Sequence, residues 1–186
     1  MSSEKDKYLH SEEDLEQQHE SWTEAPRNLE DMQKILDLTP DDIETVLDYG
    51  CGSGRYSQRF YNYVGYDHNP TWIPFARKKY PGKKFVLKLG DEKYDLVLCV
   101  SVIQYQPDED LKGFVKDLMS RAKKYVLIQT WDNADNPSME IGGFKGATVY
   151  KRNKNIYLDL LSKYGKVERH VIGSGEMAVY LVEVKK

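Results

Sequence analysis

The chain has 186 residues, 27 basic and 30 acidic, for a net charge of −3. That length suits one domain with a sizeable core. The near-even charge sets up no broad field toward nucleic acid or an anionic membrane, and no apolar run approaches the roughly 20 residues of a membrane span. The N-terminal stretch MSSEKDKYLHSEEDLEQQHE is charged and lacks the apolar core of a secretory signal. The two cysteines, Cys51 and Cys99, form no Cys-x-x-Cys pair and read as buried and inert, so the expectation is a reducing cytoplasm.

Residues 1–27 form a polar, weakly patterned segment that reads as a helix, a tail or a lid over a site. The domain proper is expected over 28–186. Asn28 is a candidate cap for a helix beginning at Leu29, with Leu29, Met32, Ile35 and Leu36 as its apolar stripe. A buried strand over Thr45–Tyr49 stops at Gly50, and Arg55–Tyr61 reads as a short helix. Tyr63–Tyr66 is a second strand ending at Asp67. Pro70 suits the first position of a helix that Pro74 limits. Lys84–Leu87 is a third strand and Tyr94–Val102 a fourth, apolar enough to be covered on both faces.

The periodicity of Leu111, Phe114, Val115, Leu118 and Met119 predicts a helix over Pro107–Lys124. Tyr125–Thr130 is a fifth strand. Asp132–Thr148 has no periodicity and reads as a long functional loop. A helix over Ile156–Tyr164, stopped by Gly165, precedes two strands, Val167–Ile172 and Ala178–Val184, joined as a hairpin around Gly173-Ser174-Gly175. Strands alternating with helices imply a parallel sheet wrapped by helices, with ligands at the C-terminal strand ends.

The turn VLDYGCGSGRYS lies at such an end. Gly50, Gly52 and Gly54 alternate after Asp48, which lets the backbone turn sharply and lets a ligand approach closely. A dinucleotide fingerprint needs a third glycine at position 55, which is Arg55; a phosphate loop needs Gly-Lys there, and Arg55-Tyr56 stands instead. The pattern acidic-x-Gly-x-Gly-x-Gly, with Asp67 nineteen residues after Asp48, resembles the class I methyltransferases that use S-adenosylmethionine. The resemblance covers roughly residues 43–186. It implies an α/β fold, a Rossmann-like seven-stranded, mostly parallel sheet with helices on both faces and a C-terminal antiparallel hairpin.

The same resemblance implies a cofactor site made of Asp48, Tyr49, Gly50, Cys51, Gly52, Asp67, His68, Asn69, Asp91, Val100 and Ser101. In it Asp48 lies near the methionine amino group, Asp67 binds the ribose, and His68 and Asn69 flank the adenosine. Tyr105, Trp131 and Asp132, after the fourth and fifth strands, are the acceptor-side candidates; Gln104-Tyr105 stands where the family often has a histidine. Trp22 and Arg27 read first as packing residues, with closure over the cofactor as the alternative. His10, His19 and His170 are scattered singly and read as surface residues, with no metal cluster.

Methyl transfer needs alignment and water exclusion more than a base, so no catalytic residue is singled out. A small-molecule acceptor is expected, with no membrane partner and no strong nucleic-acid signature. Two alternatives stay open: a cofactor-binding scaffold that transfers no methyl group, and a protein or RNA methyltransferase with a basic face including Lys145, Lys151, Arg152 and Lys154.

Overall fold

The computed structural model describes residues 11–133, 139–142, 148–173 and 177–185. Helix α1 (Glu12–Glu24) starts at a reciprocal cap: Ser11 Oγ accepts from the Asp14 N–H, and the Asp14 carboxylate accepts from the Ser11 N–H. Helix α2 (Pro26–Asp37) begins two residues before the expected Asn28 cap, because Pro26 already supplies a helical φ and needs no amide partner. Asn28 instead donates from Nδ2 to the Ser21 carbonyl at 2.7 Å, which ties α2 to the end of α1. Met32 and Ile35 are buried as expected, whereas Leu29 faces outward.

Five strands run parallel in the order β3 (Lys84–Val86), β2 (Asn62–Tyr66), β1 (Thr45–Tyr49), β4 (Tyr94–Val100), β5 (Ala122–Asn133). The hairpin partners β8 (Gly165–Ile172) and β9 (Met177–Val184) complete the seven-stranded sheet, with β9 inserted antiparallel between β5 and β8. Ser174 and Gly175 of the expected connection lie outside the described residues. Two further strands were not anticipated. β6 (Met139–Gly142) pairs antiparallel with β7 (Thr148–Asn153), and β7 joins the end of β5 through Asp132↔Arg152 and Asn133↔Asn153. The stretch expected as a loop thus carries strand structure.

Helices α2 and α3 (Trp72–Lys79) cover one face, packing on Val46, Leu96, Leu98 and Leu127. Helices α4 (Asp108–Arg121) and α5 (Lys154–Leu161) cover the other, packing on Leu47, Val97, Cys99, Val126 and Ile128. The parity is that of a sheet buried on both sides, with alternate residues of each strand in opposite cores. Helix α3 starts at Trp72 rather than Pro70, so Pro74 falls in the first turn, where no N–H partner is required.

The expected helix over Arg55–Tyr61 does not form; turns and a 3-10 segment (Ser57–Arg59) stand there. Residues 50–61 must descend from the top of β1 to the start of β2, whose register sets Thr45 beside Asn62. A 3-10 turn rises about 2.0 Å per residue against about 1.5 Å in an α-helix, so the tighter coil covers that distance with fewer residues. The sheet order reverses between β1 and β4, and in sheets of this kind ligands bind at the C-terminal strand ends beside that reversal. No described helix is long and apolar enough to cross a membrane.

Candidate active site

Three glycines shape the turn after β1: Gly50, Gly52 and Gly54 have φ of 81°, 50° and 80°. The left-handed region favours glycine, and Gly50 has a second reason: a Cβ there would lie 2.4 Å from Val102 Cγ2. Four amides of the turn are spent within the protein. Gly50 and Cys51 both donate to the Tyr66 carbonyl, at 2.7 and 2.9 Å, and Gly54 donates to the Cys51 carbonyl at 2.9 Å. The Gly52 N–H donates to Asp67 Oδ2 at 2.9 Å. None of these four amides is left to bind a phosphate. With no α-helix after the turn, the expected helix N-terminus is missing as well.

The turn instead carries two buried carboxylates. Asp67, at the end of β2, also accepts from the Asn69 N–H at 2.9 Å, and Asn69 Oδ1 accepts from the backbone and hydroxyl of Thr71. Each Asp67 oxygen keeps acceptor capacity beyond its one backbone bond. Burial pushes the Asp67 carboxyl up, and the Asn69 and Gly52 amides and His68 pull it back. Asp48 accepts from the Tyr63 hydroxyl at 2.7 Å. Burial lifts its carboxyl to about 6, opposed by the Tyr63 hydrogen bond and by Arg55. Two acidic groups over a closed set of amides make a place that favours a cation and opposes a phosphate.

Helix α1 lies over this turn. His19 Nδ1 meets Ser53 Oγ at 2.9 Å, and the Trp22 ring passes 3.1 Å from where a Gly52 Cβ would stand. Trp22 also packs on Trp72, and the Arg55 guanidinium lies 6.0 Å from its ring centre. Beside β1, β4 ends in Val100 and is followed by Ser101. Ser101 holds a φ of 58° as a non-glycine residue, a strained conformation that persists only where its surroundings fix it. Its amide donates to the Gln129 carbonyl at 3.0 Å, and its hydroxyl donates to Gln129 Oε1 at 2.6 Å. A 3-10 turn follows (Ile103–Tyr105), in which Gln104 is buried with Oε1 unpartnered and Tyr105 is exposed.

A family model described as a methyltransferase domain matches residues 17–168. The chain belongs to the methyltransferase-domain family. No curated protein sequence matches this methyltransferase. Solved structures share its fold at low identity. The Burkholderia thailandensis 1,6-didemethyltoxoflavin-N1-methyltransferase, with that compound and S-adenosylhomocysteine bound, is 16% identical with a TM-score of 0.67, covering 92% of this chain and 84% of that one. Magnesium protoporphyrin IX methyltransferase from Synechocystis PCC 6803, with S-adenosylmethionine bound, is 15% identical with a TM-score of 0.63, covering 96% and 88%. DesVI of Streptomyces venezuelae is 14% identical with a TM-score of 0.70, covering 96% and 100%. The expected class I, S-adenosylmethionine-dependent family and the Rossmann-like fold hold.

In this methyltransferase the structure brings together Asp48, the backbone of Tyr49 to Gly52, Asp67, Asn69, Val100 and Ser101 at the ends of β1, β2 and β4. The Tyr49 side chain turns under the sheet, where its hydroxyl donates to Asp117 at 3.0 Å. His68 is exposed beside Asp67, 3.8 Å away. Asp91 is exposed in the connection before β4. Asp132 is buried, with both oxygens taken by Arg169 at 2.6 Å and by the Tyr180 hydroxyl. Trp131 is half-buried at the end of β5, with Lys151 Nζ 5.1 Å from its ring centre.

Arg152, placed in a basic face by the sequence, is wholly buried and paired with Asp108 at 2.7 Å; Lys145 lies outside the described residues, as does His10. His19, expected at the surface, is buried. Its signal was present: Leu15, His19 and Trp22 fall on one face of a helix at i, i+4 and i+7.

Proposed function

We propose that this methyltransferase transfers a methyl group from S-adenosylmethionine to a small-molecule acceptor. The observation that carries the reading is a glycine turn, four of its amides spent within the protein, flanked by two buried carboxylates, which suits a ligand with positive charge and a nucleoside. Asp48 accepts from the ligand's ammonium, and Asp67 accepts from the ribose hydroxyls with the lone pairs its backbone bonds leave free. Gly50 and Gly52 let the turn pass close under Val102 and Trp22, Asn69 and His68 border the adenosine, and Val100 and Ser101 form the floor. Asp91 and Asp132 are left out: the first faces solvent and the second is committed to Arg169 and Tyr180.

S-adenosylmethionine, held by Asp48 and Asp67, would supply an activated methyl on a sulfonium, open to displacement by the lone pair of an acceptor. What the chain adds is alignment and shielding from water. Tyr105 and Trp131, after β4 and β5, border the acceptor side. A small-molecule acceptor is supported by the compounds named for the similar Burkholderia and Synechocystis enzymes and by the burial of Arg152, which removes it from any basic surface. The two free cysteines, both buried, suit a reducing cytoplasm.

The test is methyl transfer from labelled cofactor into separate small-molecule and macromolecular fractions of a cell extract. Label in the small-molecule fraction is expected. Label in protein or RNA alone overturns the acceptor class, and no transfer to any fraction overturns the activity.

A further inference from the structure

Helix α2 carries a buried carboxylate that the cofactor reading leaves unused. Asp31 lies on the interior face with Met32 and Ile35 and is only 8% exposed. Among the described residues no donor stands within hydrogen-bond distance of it. Lys34, on the same helix, is spent on Glu30 at 2.7 Å. The other buried aspartates among the described residues all have partners: the Tyr63 hydroxyl on Asp48, two amides on Asp67, Thr45 on Asp95 and Arg169 on Asp132. A carboxylate kept from water without a partner is costly, and a cation that reaches it offsets the cost.

The surroundings of Asp31 set it at the acceptor end of the site. Its two oxygens lie 3.4 and 3.6 Å from where a Gly173 Cβ would stand, and the Met177 methyl lies 3.3 Å from the same point. A side chain at Gly173 would fill that spot, and its φ of 62° suits glycine. Gly173 follows β8, and Met177 opens β9 opposite Trp131 of β5. Met177 Sδ accepts from Gln129 Nε2 at 3.0 Å, and Gln129 Oε1 accepts from Ser101 Oγ at 2.6 Å. A row of side chains thus runs from the Asp31 carboxylate to the residue after β4. Gln129 and Trp131 share the face of β5 that holds Leu127, the face α2 covers. Tyr56 links Asp31 to the cofactor side: its buried hydroxyl has no partner among the described residues. Burial pushes that hydroxyl up to about 12, Arg55 opposes the rise, and Asp48 and Asp31 both add to it.

We propose that Asp31 anchors the acceptor, and that the acceptor is a primary or secondary amine, held as its ammonium beside Gly173 and Met177 and methylated on nitrogen. The proposal rests on the methyl-transfer reading. An acidic acceptor would meet Asp31 as a like charge, whereas an ammonium gains a charge-assisted bond there. An ammonium has no lone pair, so it first gives a proton to the Asp31 carboxylate. The freed amine then forms the nitrogen–methyl bond as the sulfur–methyl bond breaks, and the electron pair of the broken bond stays on sulfur. The products are a methylated ammonium and S-adenosylhomocysteine. A carboxylate already committed, as Asp132 is to Arg169 and Tyr180, could neither hold the ammonium nor take its proton.

Amine capping tests the acceptor class. The small-molecule fraction of a cell extract is divided, and in one half the amines are acetylated with N-hydroxysuccinimidyl acetate, after which hydroxylamine releases any acylated hydroxyls and thiols. With labelled S-adenosylmethionine the wild type should label the untreated half and lose that transfer at least about tenfold in the capped half. Equal labelling of the two halves would overturn the amine acceptor and leave the methyltransferase standing; labelling of neither half takes the methyl-transfer reading down with it. Asp31→Asn, which keeps the shape, should raise the amount of extract needed for half-maximal rate roughly ten- to hundredfold, as loss of a charge-assisted bond implies, and Asp31→Glu should recover part of the loss. S-adenosylhomocysteine should bind Asp31→Asn as it binds the wild type in calorimetry, a readout that damage to the fold would move. Half-saturation unchanged in Asp31→Asn, or an equal loss of S-adenosylhomocysteine affinity, would overturn the anchor.

Discussion

Asp48 offers the sharpest test of whether the site is built for a cation, because its ionised form works against folding. Its carboxyl moves from 3.8 to about 6 on folding, chiefly through burial. A shift of that size corresponds to about 3 kcal/mol held against the native state once the group is ionised. The sign follows from linkage: a carboxyl raised in the folded state contributes stability below pH 3.8 that is lost as pH rises through about 6. Asp48→Asn keeps the shape and still accepts from the Tyr63 hydroxyl, but carries no charge. At pH 8 the variant should therefore be more stable than the wild type by about 1–3 kcal/mol, or roughly 2–10 °C in Tm for a chain of this length. The gap should shrink as pH falls through about 6 and close below 3.8, where the wild-type carboxyl is protonated in both states. The same variant should bind S-adenosylhomocysteine at least tenfold more weakly, since the ammonium loses its partner. Thermal unfolding at several pH values, with calorimetry beside it, decides the matter. An Asp48→Asn variant that is less stable at pH 8 yet binds as the wild type does would refute the reasoning.

Three further outcomes are expected. Gly50→Ala must hold a side chain at a φ of 81° and against Val102, so denaturant unfolding should show a loss of about 2–4 kcal/mol from left-handed strain and overpacking. Asp132→Ala strips the partner from Arg169 and the acceptor from Tyr180; breaking such a buried pair should cost about 3–5 kcal/mol in chemical denaturation, while the folded fraction binds S-adenosylhomocysteine as before. Asp67→Asn sets an amide N–H against the Gly52 or Asn69 N–H. It should weaken the same ligand by on the order of 2 kcal/mol, about thirtyfold; unchanged affinity in a titration would take Asp67 out of the site.

The sheet was legible in the sequence because its strands are short apolar runs buried on both faces, and Asp48, the glycines and Asp67 were legible because they fall at strand ends. What escaped reading was governed by distance rather than by pattern. The segment after Gly54 has residues that tolerate a helix, but its hydrogen bonds, Gly54 to Cys51, Ser57 to Gly54 and Arg59 to Tyr56, span three residues and wind it as turns and a 3-10 coil. β6 and β7 carry no clean alternation, since β7 places wholly buried Arg152 where an apolar residue would signal a strand. The role of Asp132 was hidden for a similar reason: its partners Arg169 and Tyr180 come from the C-terminal hairpin, far along the chain. His19 showed only as a lone histidine until the helix face it shares with Leu15 and Trp22 was set against Ser53.

The central claim is that a turn with four amides spent within the protein, between two buried carboxylates, takes a positively charged nucleoside and refuses a phosphate-bearing one. Parallel calorimetric titrations of the wild type with S-adenosylmethionine and with NAD measure that preference. One site for S-adenosylmethionine in the micromolar range, on the order of 8 kcal/mol, and no heat from NAD is the result the account requires; binding of NAD, or silence from both, would contradict it.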